Sequence, residues 1–342
     1  MPAIRRHVPV DTGGVVGNYV LGRRLGAGGM GAVYEATRDG KSVAIKLPYC
    51  ETLENHYASR RFLDEGIAGS IVDHPNLARV YEHGLTAGGI PYLVMEHVAG
   101  ERLCVQLARE NVLSLRRAAT IVRQLLDGLD ALHAAGIVHA DVKSDNVLLA
   151  KTDDGREVAK LIDFGLAHPE LELTHVHPVK VDDMVSGTPD YMAPEVIRGE
   201  GSSPASDIYS AGVILYELLT GTTPFSGGTS SEIVNRHLRE AVIPPSLRRP
   251  DREIPPILER IVLRALEKDP SKRFVSAAAF AAALAVAIPS LCDDETTMNA
   301  PVSFSTDAPT LDWQLRDTLQ DDDRPHRRRI ARGTPLRRRA RR

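Results

Sequence analysis

At 342 residues the chain is long enough to bury a substantial core, as one two-lobed domain or as two small ones. With 43% hydrophobic and 25% charged residues it has the composition of a globular protein in water. The net charge of -3 hides an uneven distribution: residues 290–323 carry Arg316 against nine acidic residues, whereas 324–342 carry ten Arg and no acid.

Cys50, Cys104 and Cys292 are scattered, odd in number and form no C-x-x-C pair. That argues against a disulfide framework or a zinc site and for free thiols in a reducing cytosol. No apolar run follows Arg5-Arg6, so a secretory signal is not expected. The Ala-rich stretch from Ala277 to Ile288 is too short to span a bilayer. The expectation is a cytoplasmic protein that is not an integral membrane protein.

Residues 1–18 lack periodicity and read as a flexible lead. From Tyr19 to Val98 strands dominate. Asp39-Gly40 marks a hairpin turn between Val33–Thr37 and Ser42–Leu47, both rich in strand formers. One helix interrupts this part, over about Ser59 to Ile71, with Phe62, Ile67 and Ile71 spaced for one buried face. From Glu101 onward helices dominate. Ser114 is an N-cap before Ile121, Val122, Leu125, Leu126, Leu129 and Leu132, and Gly136 closes the run, which predicts a long core helix. Strands Val147–Ala150 and Val158–Ile162 flank the Asp154-Gly155 turn. Further helices are expected near Asp207–Thr220, Ser230–Arg239, Pro256–Glu267 and Ser276–Ala287. After Pro289 the pattern dissolves, and disorder is expected. The fold class is α+β: a small β-rich lobe (19–98) with one main helix, then a larger helical lobe (99–289), and a tail (290–342).

Four blocks stand in the order that phosphoryl transfer from ATP requires: Gly26-Ala-Gly-Gly-Met-Gly31, Val43-Ala-Ile-Lys46, Asp141-Val-Lys-Ser-Asp-Asn146 and Asp163-Phe-Gly165. Gly26, Gly28 and Gly31 lie between two strands, which fits a hairpin flap over phosphates rather than a dinucleotide fingerprint. Lys46 ends an apolar strand and needs anionic partners there: the α/β-phosphates and a carboxylate of the following helix. Glu65 is the candidate carboxylate; Asp64 points about 100° away on a helix. Asp141 is placed to accept or orient the substrate hydroxyl proton, and Lys143 to neutralise charge on the transferred group. Asn146 and Asp163 offer the hard oxygens that Mg²⁺ prefers, with Mn²⁺ an alternative.

Residues from about Tyr19 to Pro289 resemble the eukaryotic-like (Hanks-type) Ser/Thr protein kinases of bacteria. Besides the four blocks, Gly187-Thr-Pro-Asp-Tyr-Met-Ala-Pro-Glu195 and Asp269-Pro-Ser-Lys-Arg-Phe274 carry the resemblance. It implies the two-lobed kinase fold and transfer of the γ-phosphoryl of MgATP to protein Ser or Thr, including autophosphorylation. It implies Leu25, Val33, Ala44 and Leu148 around adenine, Met95 as gatekeeper and backbone hydrogen bonds from Glu96 to Val98. It also implies a structural Glu195–Arg273 pair, Asp207 bracing the catalytic loop, and Thr188 bonded to Asp141 and Lys143.

One departure matters. Where the family has His-Arg-Asp, this chain has His139-Ala140-Asp141. Ala140 lacks the charge that pairs with an activation-loop phosphate, so activity is expected not to depend on phosphorylation of Thr174. The rival readings are a non-catalytic kinase-fold scaffold and a kinase-fold small-molecule phosphotransferase.

In the tail, Thr318 with Asp321 resembles the phosphothreonine motif read by forkhead-associated domains. The runs Arg327-Arg-Arg329 and Arg337-Arg-Arg339 suit an acidic partner or nucleic acid by charge, fold-back onto Asp321-Asp322-Asp323, or plain solvation.

Overall fold

The computed structural model describes residues 13–27, 31–54, 59, 62, 66–67, 69–163, 168–169 and 189–291. Gly28, Glu65, Thr174, Thr188, Thr318 and the tail from residue 292 lie outside them.

The first lobe is built on β1 (Val15–Val16), β2 (Tyr19–Ala27), β3 (Gly31–Arg38), β4 (Lys41–Pro48), β5 (Val80–Leu85) and β6 (Pro91–Glu96). They form one sheet in the order β1-β2-β3-β4-β6-β5, with every pair antiparallel. The β3–β4 hairpin turns where the Asp-Gly pair predicts it. Arg38 pairs with Lys41, and Asp39 (φ 51°) and Gly40 (φ 74°) take the left-handed conformations of a two-residue turn. The β2–β3 ladder carries two register shifts between Leu21 and Gly26 and then pairs Gly26 with Val33 and Ala27 with Ala32, so the strands stay joined up to the Gly-rich loop. A short helix, α1 (Cys50–Glu54), follows β4.

Two expectations for this lobe need correction. The lead is not structureless to residue 18: Val16 pairs with Tyr19 and is 1% exposed, because it caps the small core of Tyr19, Leu21, Ile45 and Val94. The helix over 59–71 is present at its described residues, and Phe62 is buried, but Ile67 and Ile71 are 46% and 58% exposed. Among the described residues the inward ones are Phe62, Gly66 and Gly69, spaced i, i+4 and i+7. A Cβ on Gly66 would collide with the Leu93 side chain, so this glycine lets the helix backbone lie close against the sheet. Apolar periodicity is blind to a face whose packing residue is glycine.

The second lobe begins with β7 (Gly100–Arg102), α2 (Leu103–Glu110) and α3 (Leu115–Ala134). Ser114 caps α3 by accepting from Arg117 N, and Gly136 (φ 74°) turns the chain out just beyond it. Leu125, Leu126, Leu129 and Leu132 are fully buried, each contributing roughly 1.5–3 kcal/mol of apolar transfer free energy. After β8 (Ile137–Val138) and a single 3₁₀ turn (Ser144–Asn146), β9 (Val147–Lys151) and β10 (Glu157–Leu161) form the expected hairpin. β7 adds to its edge, with Arg102 opposite Leu148. β11 (His168–Pro169) pairs with β8.

The remaining helices are α4 (Pro194–Ile197), α5 (Pro204–Thr220), α6 (Ser230–Arg239), α7 (Pro245–Arg248), α8 (Pro256–Ala265) and α9 (Ala277–Ala287). The α5 run Ala211-Gly-Val-Ile-Leu-Tyr216 is apolar all round and is buried all round, as the central strut of the lobe. It starts on a Ser203/Ser206 capping box and stops at Gly221 (φ 81°).

Candidate active site

The candidate side chains sit at the ends of these elements, where the two lobes meet. From above come Leu25 and Val33, partly buried against a core that includes Ala44 and Met95. Met95 is paired with Ala44 across β4–β6 and is buried in the same core. Leu148, on β9, lies below. Glu96 N donates to Arg79 O, and its carboxylate accepts from Lys160 Nζ at 3.0 Å, which anchors the strand end. Val98 follows beyond the ladder, half-buried.

The polar end is a cavity of about 180 Å³ lined by Ala27, Gly31, Val33 and Lys46 from the first lobe and by Arg102, Lys143, Asp145, Asn146 and Asp163 from the second. Gly31 has a reason beyond phosphates: a Cβ there would collide with Leu47 O on the neighbouring strand. Its glycine is demanded by strand packing.

Lys46 is buried, and its Nζ donates to Asp163 Oδ1 at 2.9 Å. Burial by itself pushes the Asp163 carboxyl up. The Lys46 ammonium outweighs this, helped by Arg102, and holds it below the usual carboxylate range. Asp163 also has φ 58°, a conformation that costs a non-glycine residue of order 1–3 kcal/mol and is held here by its surroundings.

Lys143 Nζ donates to both carboxylate oxygens of Asp141, at 2.9 and 2.8 Å. Asn146 Nδ2 donates to Asp141 O and Oδ2, at 2.8 and 2.9 Å. Those bonds commit the Asn146 amide nitrogen and leave its oxygen as a hard acceptor. With the Asp163 carboxylate lining the same cavity, the donor set fits Mg²⁺, and the two residues would hold it.

The loop that carries Asp141 is fixed from beneath by Asp207 of α5. Its carboxylate accepts from His139 N and Ala140 N, both at 2.9 Å, and from His133 Nε2 at 2.8 Å. Those bonds hold Ala140 at φ 60°. Burial lowers the pKa of His139, and its Nδ1 accepts from Asp141 N, so the imidazole is neutral. Glu195 and Arg273 form the expected pair, bidentate and buried, at 2.6 and 2.7 Å.

Sequence reasoning missed a second brace. Tyr191 OH donates to Glu217 Oε2 at 2.7 Å and meets Ser144 Oγ at 2.8 Å, joining the catalytic loop to the Pro189–Tyr191 turn and to α5. A lone Glu between Tyr216 and Leu218 in an apolar helix was the available signal. Burial, with Asp145 and Asp190 adding to it, pushes Glu217 up to about 7 against the bonds from Tyr191 and Ser144. A carboxyl raised in the folded state favours folding most below its unfolded pKa and loses that advantage as pH rises through 7. The wild type should therefore lose up to about 3 kcal/mol relative to Glu217→Gln between about pH 4.5 and pH 8. Urea unfolding of both proteins across that range measures it; a difference that does not vary with pH contradicts it.

A match to the protein kinase domain covers residues 19–284. Over 268 residues the chain is 37% identical to the serine/threonine-protein kinase pkn3 of Myxococcus xanthus, covering 78% of this chain and 49% of that one. Over 275 residues it is 38% identical to the serine/threonine-protein kinase PknA of Mycobacterium tuberculosis, covering 79% and 61%. The chain thus spans about half to three-fifths of the length of these relatives. The fold is similar to that of the Mycobacterium tuberculosis PknI kinase domain, with a TM-score of 0.63 and 26% identity over 82% of this chain and 99% of that one. Fold and site together define a two-lobed domain with a polar cleft where the lobes meet. The chain belongs to the protein kinase family, among relatives that are bacterial Ser/Thr kinases. Among the described residues no helix is long and apolar enough to cross a membrane.

Proposed function

We propose that the chain is an ATP-dependent Ser/Thr protein kinase that works in the cytoplasm, where ATP is available. The observation that carries this is the meeting of the Lys46–Asp163 pair and the Asp141–Lys143–Asn146 cluster in one cleft. Lys46 would bind the nucleotide phosphates, exchanging part of its contact with Asp163 for them. Asp141 would hold the substrate hydroxyl in line with the γ-phosphorus and take its proton as the O–P bond forms and the bond to the β-phosphate oxygen breaks. Lys143, already on Asp141, would carry the negative charge of the transferred group. Asn146 and Asp163 would hold Mg²⁺, which when bound neutralises charge on the β- and γ-phosphates. Glu65 and Thr188 complete this reading as the second partner of Lys46 and the hydroxyl that aligns the catalytic loop.

Incubation with γ-labelled ATP and a protein acceptor, followed by phosphoamino-acid analysis, tests it. Label on Ser or Thr supports the proposal. Label on small alcohols with none on protein overturns it in favour of a small-molecule phosphotransferase.

The bonds from Asp207 order residues 139–140 without a cationic side chain at position 140. This supports activity independent of activation-loop phosphate. Thr174→Ala should retain more than roughly a tenth of wild-type activity, since no Arg at 140 awaits the phosphate. A greater loss in a steady-state peptide assay contradicts it.

A further inference from the structure

Arg102 is a cation in the cleft that none of the four motifs supplies. It sits at the last position of β7, just before α2, and its backbone is opposite Leu148 on the cleft floor. Its side chain makes no capping bond to α2. Among the described residues no carboxylate lies within ion-pair distance of it. Lys46 and Lys143, the other cations lining the cavity, are both engaged with carboxylates. The Arg102 fork reaches upward to the roof: a Cβ on Gly26 would come within 2.9 Å of Nη2. It therefore spans floor and roof beside the phosphate end of the cavity, close enough to act on Asp163 by charge.

We propose that Arg102 is a nucleotide-binding residue, donating its guanidinium to phosphate oxygens of ATP as they pass beneath Gly26. An arginine held half-buried at a cavity mouth, without a carboxylate, is a partner for an anion that enters from solution. Of the ligands this cleft takes, the nucleotide carries the greatest negative charge. Arg102 supplies a planar fork on the side of the triphosphate away from Lys46. The same closeness explains a second requirement at Gly26, because any side chain there would push the guanidinium out of the cavity. The inference rests on the proposed ATP reading and adds to it a contact particular to this chain.

The test uses the whole 342-residue chain and compares MgATP with adenosine by titration calorimetry, for wild type, Arg102→Met and Arg102→Lys. Methionine keeps the apolar stem and removes the charge. Arg102→Met should weaken MgATP roughly ten- to a hundred-fold and leave adenosine within about two-fold, with Arg102→Lys between. Equal losses for both ligands, or no loss for either while the wild type binds MgATP, overturn the inference alone. A rise in KM for acidic peptides with unchanged MgATP affinity also overturns it, assigning the guanidinium to the protein substrate. Wild-type protein that binds neither ligand overturns both this inference and the ATP reading.

Discussion

Asp141→Asn should lower kcat by roughly 10²–10⁴-fold while leaving the affinity for MgATP nearly unchanged. The asparagine fills the same space and can still accept from Asn146, so the loop keeps its shape; what disappears is the acceptor for the substrate proton and the charge that holds Lys143. Lys143 then loses its partner on one side and the hydroxyl loses its orientation, both effects confined to the chemical step. Steady-state kinetics with a peptide substrate, alongside a binding titration, separates them. A kcat within ten-fold of wild type would mean that proton acceptance at Asp141 is not needed.

The second large effect is on stability. Glu195→Ala should destabilise the domain by about 3–5 kcal/mol, a sizeable share of the ~5–15 kcal/mol typical of a domain. The Arg273 side chain is 0% exposed, and removing Glu195 leaves its charge with carbonyl acceptors at Glu267, Ala205 and Lys268 and the ring of Tyr209. Those dipoles satisfy its N–H groups but do not neutralise it. The pair itself need not be strongly stabilising, since desolvation offsets much of the attraction; the cost lies in breaking it one-sidedly. Glu195→Ala combined with Arg273→Met should therefore recover a large part of the loss. Urea unfolding that shows less than about 1 kcal/mol for the single change, or no recovery in the double, contradicts this.

Where local chemistry determines structure, the sequence was readable. Asp39-Gly40 forces a turn whatever surrounds it, and Ser114 and Ser276 mark helix starts because each caps its own helix, bonding Arg117 N and Ala279 N. α3 follows from its periodicity, the α5 core from its continuous apolar run, and the β9–β10 hairpin from the Asp154-Gly155 turn between its strands. What was not readable depends on partners distant in the chain. The glycine face of the helix over 59–71 is a face only because Leu93 sits behind it. Val16 is ordered only because β2 returns beside it. Residues named by motif came together where described: Lys46 on Asp163, Lys143 and Asn146 on Asp141. Arg102 and Glu217 belong to no motif. Each gains its role from a neighbour more than seventy residues away in sequence, Gly26 for one and Ser144 for the other.

In the proposed function this cleft transfers phosphoryl groups to protein hydroxyls. An intact-mass time course of the purified chain with MgATP, beside an Asp163→Asn control, tests it most directly. Stepwise gains of one phosphoryl group in the wild type, absent from the control, are the predicted result. No gain in the wild type, with acceptor protein also unlabelled and MgATP bound, would contradict the account and leave the fold as a nucleotide-binding scaffold.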